Sequence, residues 1–422
     1  MKRVFRILGF CILIPLMAYW VYLAVFQIQE YFVGNSYVTY LNRNKTVMDE
    51  DFVLDHSFYE KQFYMVGELH GFAKSPEIDF KLFKHLNQRT GVRYYMSEVD
   101  YSQAYFLNKY LETGQDSLIS FSLKNWLVIQ AQENKDYYEK WKKLYNYNRT
   151  LPEDKKIKIL GCDVLTDVEV VRHHIMELVD QSDFNLLFGS SKKLDTIVDA
   201  AKRIMSNPNQ RETLALKYGP DFKNFEHLMN TILQTEEKVR EAKIFENFKS
   251  LYSILELEKE KIFAFYGFFH VLQEKPANGF PYLASRIKAS NLAHGKNMVS
   301  MTMCFQDSEM IMPSAGLPSL LQTGPVWSEV GFKYDSLLLF YLKGIMDLKR
   351  TSEPNTTTIY KMNQPDSPYF KTDRLMEVNM ILPILENQTI EIPKDKHTAD
   401  YAQYLIFVRN SKAARPLDFE TD

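Results

Sequence analysis

The chain has 422 residues, enough for one large domain or two of medium size. Its 45% hydrophobic and 25% charged residues are those of an ordinary globular protein, which excludes wholesale disorder, a coiled coil or a polytopic membrane protein. Lys and Arg number 51 against 53 Asp and Glu, a net charge of -2 with no footprint for nucleic acid, and three cysteines exclude a disulfide scaffold or a Cys-based zinc module.

Lys2, Arg3 and Arg6 precede an uncharged, largely apolar run of 20 residues, Ile7–Phe26. As a helix it would span about 30 Å, the thickness of a hydrocarbon core, with Tyr19, Trp20 and Tyr22 at its far end. A cleaved signal peptide would be shorter and end in small residues. The pattern predicts a signal-anchor over 1–30, the amino terminus cytoplasmic and the rest extracytoplasmic, then a membrane-proximal connector to about residue 60. Beyond it, short β-like runs alternate with helical ones. Strands are predicted at Gln62–Gly67, Val92–Val99, Ile157–Cys162, Lys261–Gly267 and Met298–Cys304. Helices are predicted at Pro76–Gln88, Ser102–Glu112, Leu123–Tyr147, Asp167–Gln181 and Pro281–Ser290, with Ser75 and Pro76 opening the first. A strand-free stretch at about 183–258 reads as a helical insertion. The order predicts an α/β domain over 61–305, a parallel or mixed sheet flanked by helices. Residues 306–422 form a carboxyl-terminal extension expected to pack on the same domain, with a strand-like run at Leu337–Leu342. Cys162 and Cys304 could pair or remain two buried thiols.

In such a sheet the carboxyl ends of the strands face the ligand crevice. Those ends read Gly67-Glu68-Leu69-His70-Gly71, Ser97-Glu98-Val99-Asp100, Gly161-Cys162-Asp163 and Gly267-Phe268-Phe269-His270. In extended chain, residues i and i+2 share a side, so Glu68 can stand beside His70 and Glu98 beside Asp100. A carboxylate next to an imidazole fixes its tautomer and raises its basicity, as a general base requires. The flanking glycines would let a substrate or metal approach the backbone. Asp100 and Asp163 also stand where caps for following helices belong. His173 and His174 fall mid-helix and are expected to be solvated or half-buried, and no role is read for the five histidines at 56, 85, 227, 294 and 397. The chain lacks G-x-S-x-G, H-E-x-x-H, a Walker loop and G-x-G-x-x-G, which leaves water activated by His, with or without a metal. His70, His270, Glu68 and Glu98 are suitable ligands for Mn, Fe or Zn.

The segment from Val66 to Gly114, with Ala104, Leu107, Asn108, Tyr110, Leu111 and Gly114 in its last run, resembles the opening of the erythromycin esterase-like proteins. Three further blocks agree in order: Tyr145-Asn146-Tyr147-Asn148 before IKILGCDV, Arg240-Glu241-x-x-Ile244-Phe245-x-Asn247, and FAFYGFFHVLQ. The resemblance implies an α/β fold with Glu and His at strand ends. It gives Glu68, His70, Glu98 and His270 as the catalytic set, with His70 the base for water attack on a lactone or ester carbonyl. Asp100, Asp163 and Glu241 would bind the small-molecule substrate. The esterases space their first pair Glu-x-x-His, whereas Glu68-x-His70 is closer to the ChaN-like lipoproteins that bind haem iron. An extracytoplasmic hydrolase is therefore the first expectation, with divalent metal assistance as a variant, and a haem- or iron-binding protein or an inactive scaffold as alternatives.

Overall fold

The computed structural model describes residues 2–123, 134–189, 193–234, 239–336, 340–380 and 390–417, with backbone alone for 2–16 and 379–380. Strands β1 (Lys45–Val47), β2 (Phe63–Glu68), β3 (Tyr94–Asp100), β4 (Lys158–Asp163), β5 (Ile262–Gly267) and β6 (Met298–Gln306) come first in the chain. They are followed by β7 (Ser308–Pro313), β8 (Trp327–Phe332), β9 (Asp335–Ser336), β10 (Phe340–Leu342), β11 (Thr357–Lys361), β12 (Val378–Met380) and β13 (Tyr404–Arg409). Eight of these form one sheet in the order β1-β11-β13-β6-β2-β5-β3-β4. Neighbours from β13 through β4 are parallel, and the β13–β11 and β11–β1 pairs are antiparallel. The α/β architecture expected from the alternating pattern is present, and five predicted strands fall within two residues of their observed positions.

Both faces of the parallel strands are covered, and alternation assigns the residues. Tyr64 and Val66 of β2 with Phe263 and Phe265 of β5 join one core, under the helices Lys74–Thr90, Tyr101–Thr113 and Lys135–Arg149. Phe63, Met65, Ile262, Ala264 and Tyr266 point the other way, under Arg240–Ile254 and Leu283–Ala289. The helices between Val168 and Leu233 enclose a separate core that overlaps the stretch 183–258 read as an insertion. It begins earlier than predicted, and Arg240–Ile254, assigned to it by sequence, instead covers the sheet. The helix expected over Leu123–Tyr147 is observed at Lys135–Arg149, and 124–133 lie outside the described residues. Of the run Leu337–Leu342, Phe340–Leu342 pairs with β9 and β12 in a small sheet, and 337–339 lie outside the described residues.

Three expectations are corrected here. Residues 2–43 form one continuous helix, and among the described residues no helix is long and apolar enough to cross a membrane. The anchor expected at 1–30 is thus not supported. The first part of the expected connector, to Arg43, is helix docked on the carboxyl-terminal part, where Tyr40 and Leu41 pack against Ile345, Leu348 and Phe407, and the rest includes strand β1 of the main sheet. Glu30 is ion-paired with Arg374 at 2.9 Å, and Arg374 also holds Asp347 at 2.7 Å. His174 is fully buried, not solvated or half-buried; its Nδ1 meets Ser102 Oγ at 3.1 Å and burial pushes its pKa down to about 3. Cys162 and Cys304 are buried free thiols.

Candidate active site

Insertion of β5 between β2 and β3 brings three strand ends together. Glu68 closes β2 and is buried, and two residues later His70 keeps 30% of its side chain exposed. Glu68 Oε1 lies 3.2 Å from His70 Nδ1, so the predicted i, i+2 pair forms. From β3, Glu98 reaches across to accept the Gly267 N–H at 2.7 Å. Beyond β5, the chain turns through one short 3₁₀ segment, Phe268–Val271, which carries His270 back to the same edge. A methyl group added to Gly267 would lie 3.4 Å from His70 Nε2, 3.4 Å from His270 Cδ2 and 3.5 Å from Glu98 Oε2. Three of the four residues of the set expected from sequence therefore surround one point above Gly267, and the fourth, Glu68, backs His70.

Gly67 and Gly161, which also flank the strand ends, do not open in this way. A Cβ on Gly67 would lie 2.5 Å from Val271 Cγ2, and one on Gly161 would lie 2.1 Å from Asp100 O. Those two positions admit neighbouring protein, where the sequence had suggested substrate or metal.

Arg240 belongs to a motif block but has no role legible in the sequence. The structure makes it the central cation. Its Nη2 is 2.8 Å from Glu98 Oε1, its Nε 2.9 Å from Asp163 Oδ1, and its Nη1 3.4 Å from His270 Nε2. Its side chain is 31% exposed toward the edge. Tyr137 was also missed: its hydroxyl donates to Glu68 Oε1 in a short bond. No spacing rule could have found it, because 69 residues separate the two.

The three expected substrate ligands stand elsewhere. Asp100 caps the helix Tyr101–Thr113, accepting from Ser102 N at 2.8 Å and Gln103 N at 2.9 Å, while its other oxygen takes Thr166 N at 3.1 Å. It is fully buried and its oxygens are committed, so the cap role wins. Asp163 is buried behind Arg240 and also accepts Val164 N at 2.7 Å. Glu241 is buried with Oε1 2.7 Å from His270 Nδ1 and with Oε2 accepting Leu283 N at 2.8 Å. Both hold other residues of the site.

The charges sort the two histidines. Burial opposes the charge on His270, but Glu98 and Glu241 outweigh it and push its pKa up to about 10. Burial likewise opposes protonation of His70, and Glu68, then Glu98, raise it above the ordinary value. Glu98 is held well below the usual carboxylate range, since His270 and Arg240 outweigh its burial. A metal fits poorly. Among the described residues no group of three or more His, Cys, Asp and Glu could hold one, because Arg240 already occupies the cation position between Glu98 and Asp163. The divalent-metal expectation therefore finds no such donor set among the described residues.

Beside this edge lies an apolar cavity of about 90 Å³. Leu69, Phe268 and Phe269 line it from the strand ends, and Met376 and Ile390 from the carboxyl-terminal part.

Solved structures share this architecture. A Bacillus cereus protein matches at TM-score 0.66 and 14% identity, over 91% of this chain and 99% of the other. A succinoglycan biosynthesis protein matches at 0.59 and 14%, again over 91% and 99%. A mutant of the erythromycin esterase EreC, in its open conformation, matches at 0.52 and 10%, over 83% and 91%. The likeness is one of fold. No family model matches the chain, and no curated protein matches it. The fold expected from the motif resemblance is thus shared with an erythromycin esterase, at an identity that carries no activity across.

Proposed function

We propose that the protein is a hydrolase in which His70 activates water to attack an ester, lactone or related carbonyl. One observation carries the reading: Glu68 holds His70 Nδ1 at 3.2 Å while Nε2 faces the point shared with Glu98 and His270. Water standing above Gly267 gives its proton to His70 Nε2 as its oxygen bonds to the carbonyl carbon, and Glu68 stabilises the imidazolium. The oxyanion so formed is met by the Arg240 guanidinium and the charged His270 imidazole. His70 then returns the proton to the leaving oxygen as the carbon–oxygen bond breaks. The apolar cavity at Leu69, Phe268 and Phe269 supports a substrate with a small apolar arm next to that carbonyl.

The test is hydrolysis of a panel of esters and lactones of graded apolar size, by the full chain and by His70→Ala. Turnover lost in the variant is expected. Equal turnover in both would overturn the assignment, and haem uptake with a Soret band but no hydrolysis would replace it with a binding function.

A further inference from the structure

Behind His70 the structure holds a second, fully buried polar layer on the helix Lys135–Arg149. Tyr137 and Lys140 lie three residues apart and so share one face of that helix, turned to the ends of β2 and β3. The Tyr137 hydroxyl donates to the same Glu68 oxygen that faces His70. Lys140 Nζ is 3.0 Å from Asp79 Oδ2 and 3.0 Å from the Tyr95 hydroxyl, which itself donates to Asp79 at 2.5 Å. The Lys140 ammonium also lies 5.2 Å from the centre of the Tyr137 ring, 5.1 Å from that of Tyr95 and 3.8 Å from that of Trp141. Asp79, Tyr95, Tyr137 and Lys140 are all at most 5% exposed, well beyond the reach of substrate. A lysine and an aspartate in such a place cost several kcal/mol of desolvation each, which their mutual pairing only partly returns. Packing alone does not call for them.

We infer that Tyr137 is a positioning residue for His70, and that the Lys140–Asp79–Tyr95 cluster holds it in place. Tyr137 pins the Glu68 carboxylate to one rotamer, so that the oxygen facing His70 Nδ1 is fixed. By donating to that carboxylate oxygen it also weakens Glu68 as an acceptor for His70, and so limits how far Glu68 raises the imidazole's basicity. Lys140 sets the Tyr137 ring through its face, and Asp79 with Tyr95 sets Lys140. A base must be neutral to accept a proton, so a brake on its basicity keeps it usable near neutral pH. The ionisable groups that act most strongly on His70 are Glu68 from its own segment, Glu98 from β3 and His270 from the turn after β5. Of these, Glu68 is the one Tyr137 touches.

The assignment takes its functional meaning from the hydrolase proposed above, but its test needs no turnover. The His70 ring resonances of the full chain are identified by their loss in His70→Asn and followed against pH. In Tyr137→Phe the ring and its contact with Lys140 remain and only the hydroxyl goes. Glu68 then becomes the stronger acceptor, and the His70 midpoint is expected to rise by about one pH unit, the size of one hydrogen bond to a charged group. Asp79→Asn removes a negative charge from the cluster without touching Glu68, and is expected to lower the same midpoint. A midpoint equal to wild type in folded Tyr137→Phe overturns the assignment. Should that variant fail to fold, an unchanged midpoint in Asp79→Asn overturns it. Where an ester is turned over, kcat falls in Tyr137→Phe with KM unchanged, and the acidic limb of the pH profile moves with the NMR midpoint. A chain that hydrolyses nothing would sink the hydrolase reading and leave the midpoint shift standing.

Discussion

His70 and His270 both sit beside carboxylates, yet their surroundings set them to different tasks. His70 has one carboxylate on Nδ1 and keeps part of its ring open, which suits a base. His270 lies between Glu98 and Glu241 and is nearly enclosed, which suits a fixed cation. His70→Ala should lower kcat about 10²–10⁴-fold while near-UV circular dichroism stays that of the wild type. The rate should rise with pH as His70 loses its proton, with a midpoint above the ordinary histidine value. His270 predicts a stability effect of definite sign. Its folded pKa of about 10 exceeds the unfolded 6.5, so its contribution is complete below 6.5 and disappears as pH rises toward 10. Urea unfolding between pH 6 and 10.5 should show this alkaline loss, and His270→Gln should flatten it. Equal pH dependence in the two proteins would contradict the pairing. Glu68, His70, Glu98 and His270 were legible because a strand's end and its alternation are local properties. Arg240 and Tyr137 were not, since their partners are brought close only by packing.

Strand β4 closes one side of the main sheet, and its outer edge is covered by side chains. Asn108 donates to Ile159 O at 2.9 Å and accepts Ile159 N at 2.8 Å, copying a neighbouring strand. Asn148 accepts Ile157 N at 2.8 Å, and Asn247 donates to Cys162 O at 3.1 Å. An uncovered edge would be a template for another chain, and three amides from three helices block it. All three asparagines belong to the motif blocks that suggested the family. The sequence could mark them as a pattern, but their bonds span 51, 9 and 85 residues and needed the fold to be seen. Asn148 also heads an N-x-T triplet, yet it is buried and bonded, which suits this role and not a glycan. Asn108→Ala leaves a strand N–H and C=O without their amide and should destabilise the protein by about 1–3 kcal/mol, read from the urea midpoint. A neutral effect there, with the edge still unpaired, would show that the cap is dispensable.

At the scale of the whole molecule, the segments sequence set apart are joined to the main sheet. β11 and β13 follow the expected boundary at 305 and supply two of its eight strands, with β13 parallel to β6. The first helix docks through Glu30 on Arg374, which is 1% exposed and pairs with the fully buried Asp347. Arg374→Met would remove the ion-pair partner of two buried carboxylates, at a cost of about 3–5 kcal/mol. A fall in the denaturation midpoint of that size is expected, largely relieved when Glu30→Gln and Asp347→Asn are added. By itself the sequence determined five of the six parallel strands, several of the helices that cover them and the four groups at the strand ends. Each follows from periodicity within ten or so residues, which side-chain alternation and turn chemistry decide locally. Only the tertiary structure decided that a run apolar enough to suggest a membrane anchor continues into a helix docked on protein, that Asp100 serves as a cap, and that Arg240 and Tyr137 belong to the site. Those outcomes depend on which distant group satisfies a charge or a hydrogen bond once water is excluded, and no local pattern records that.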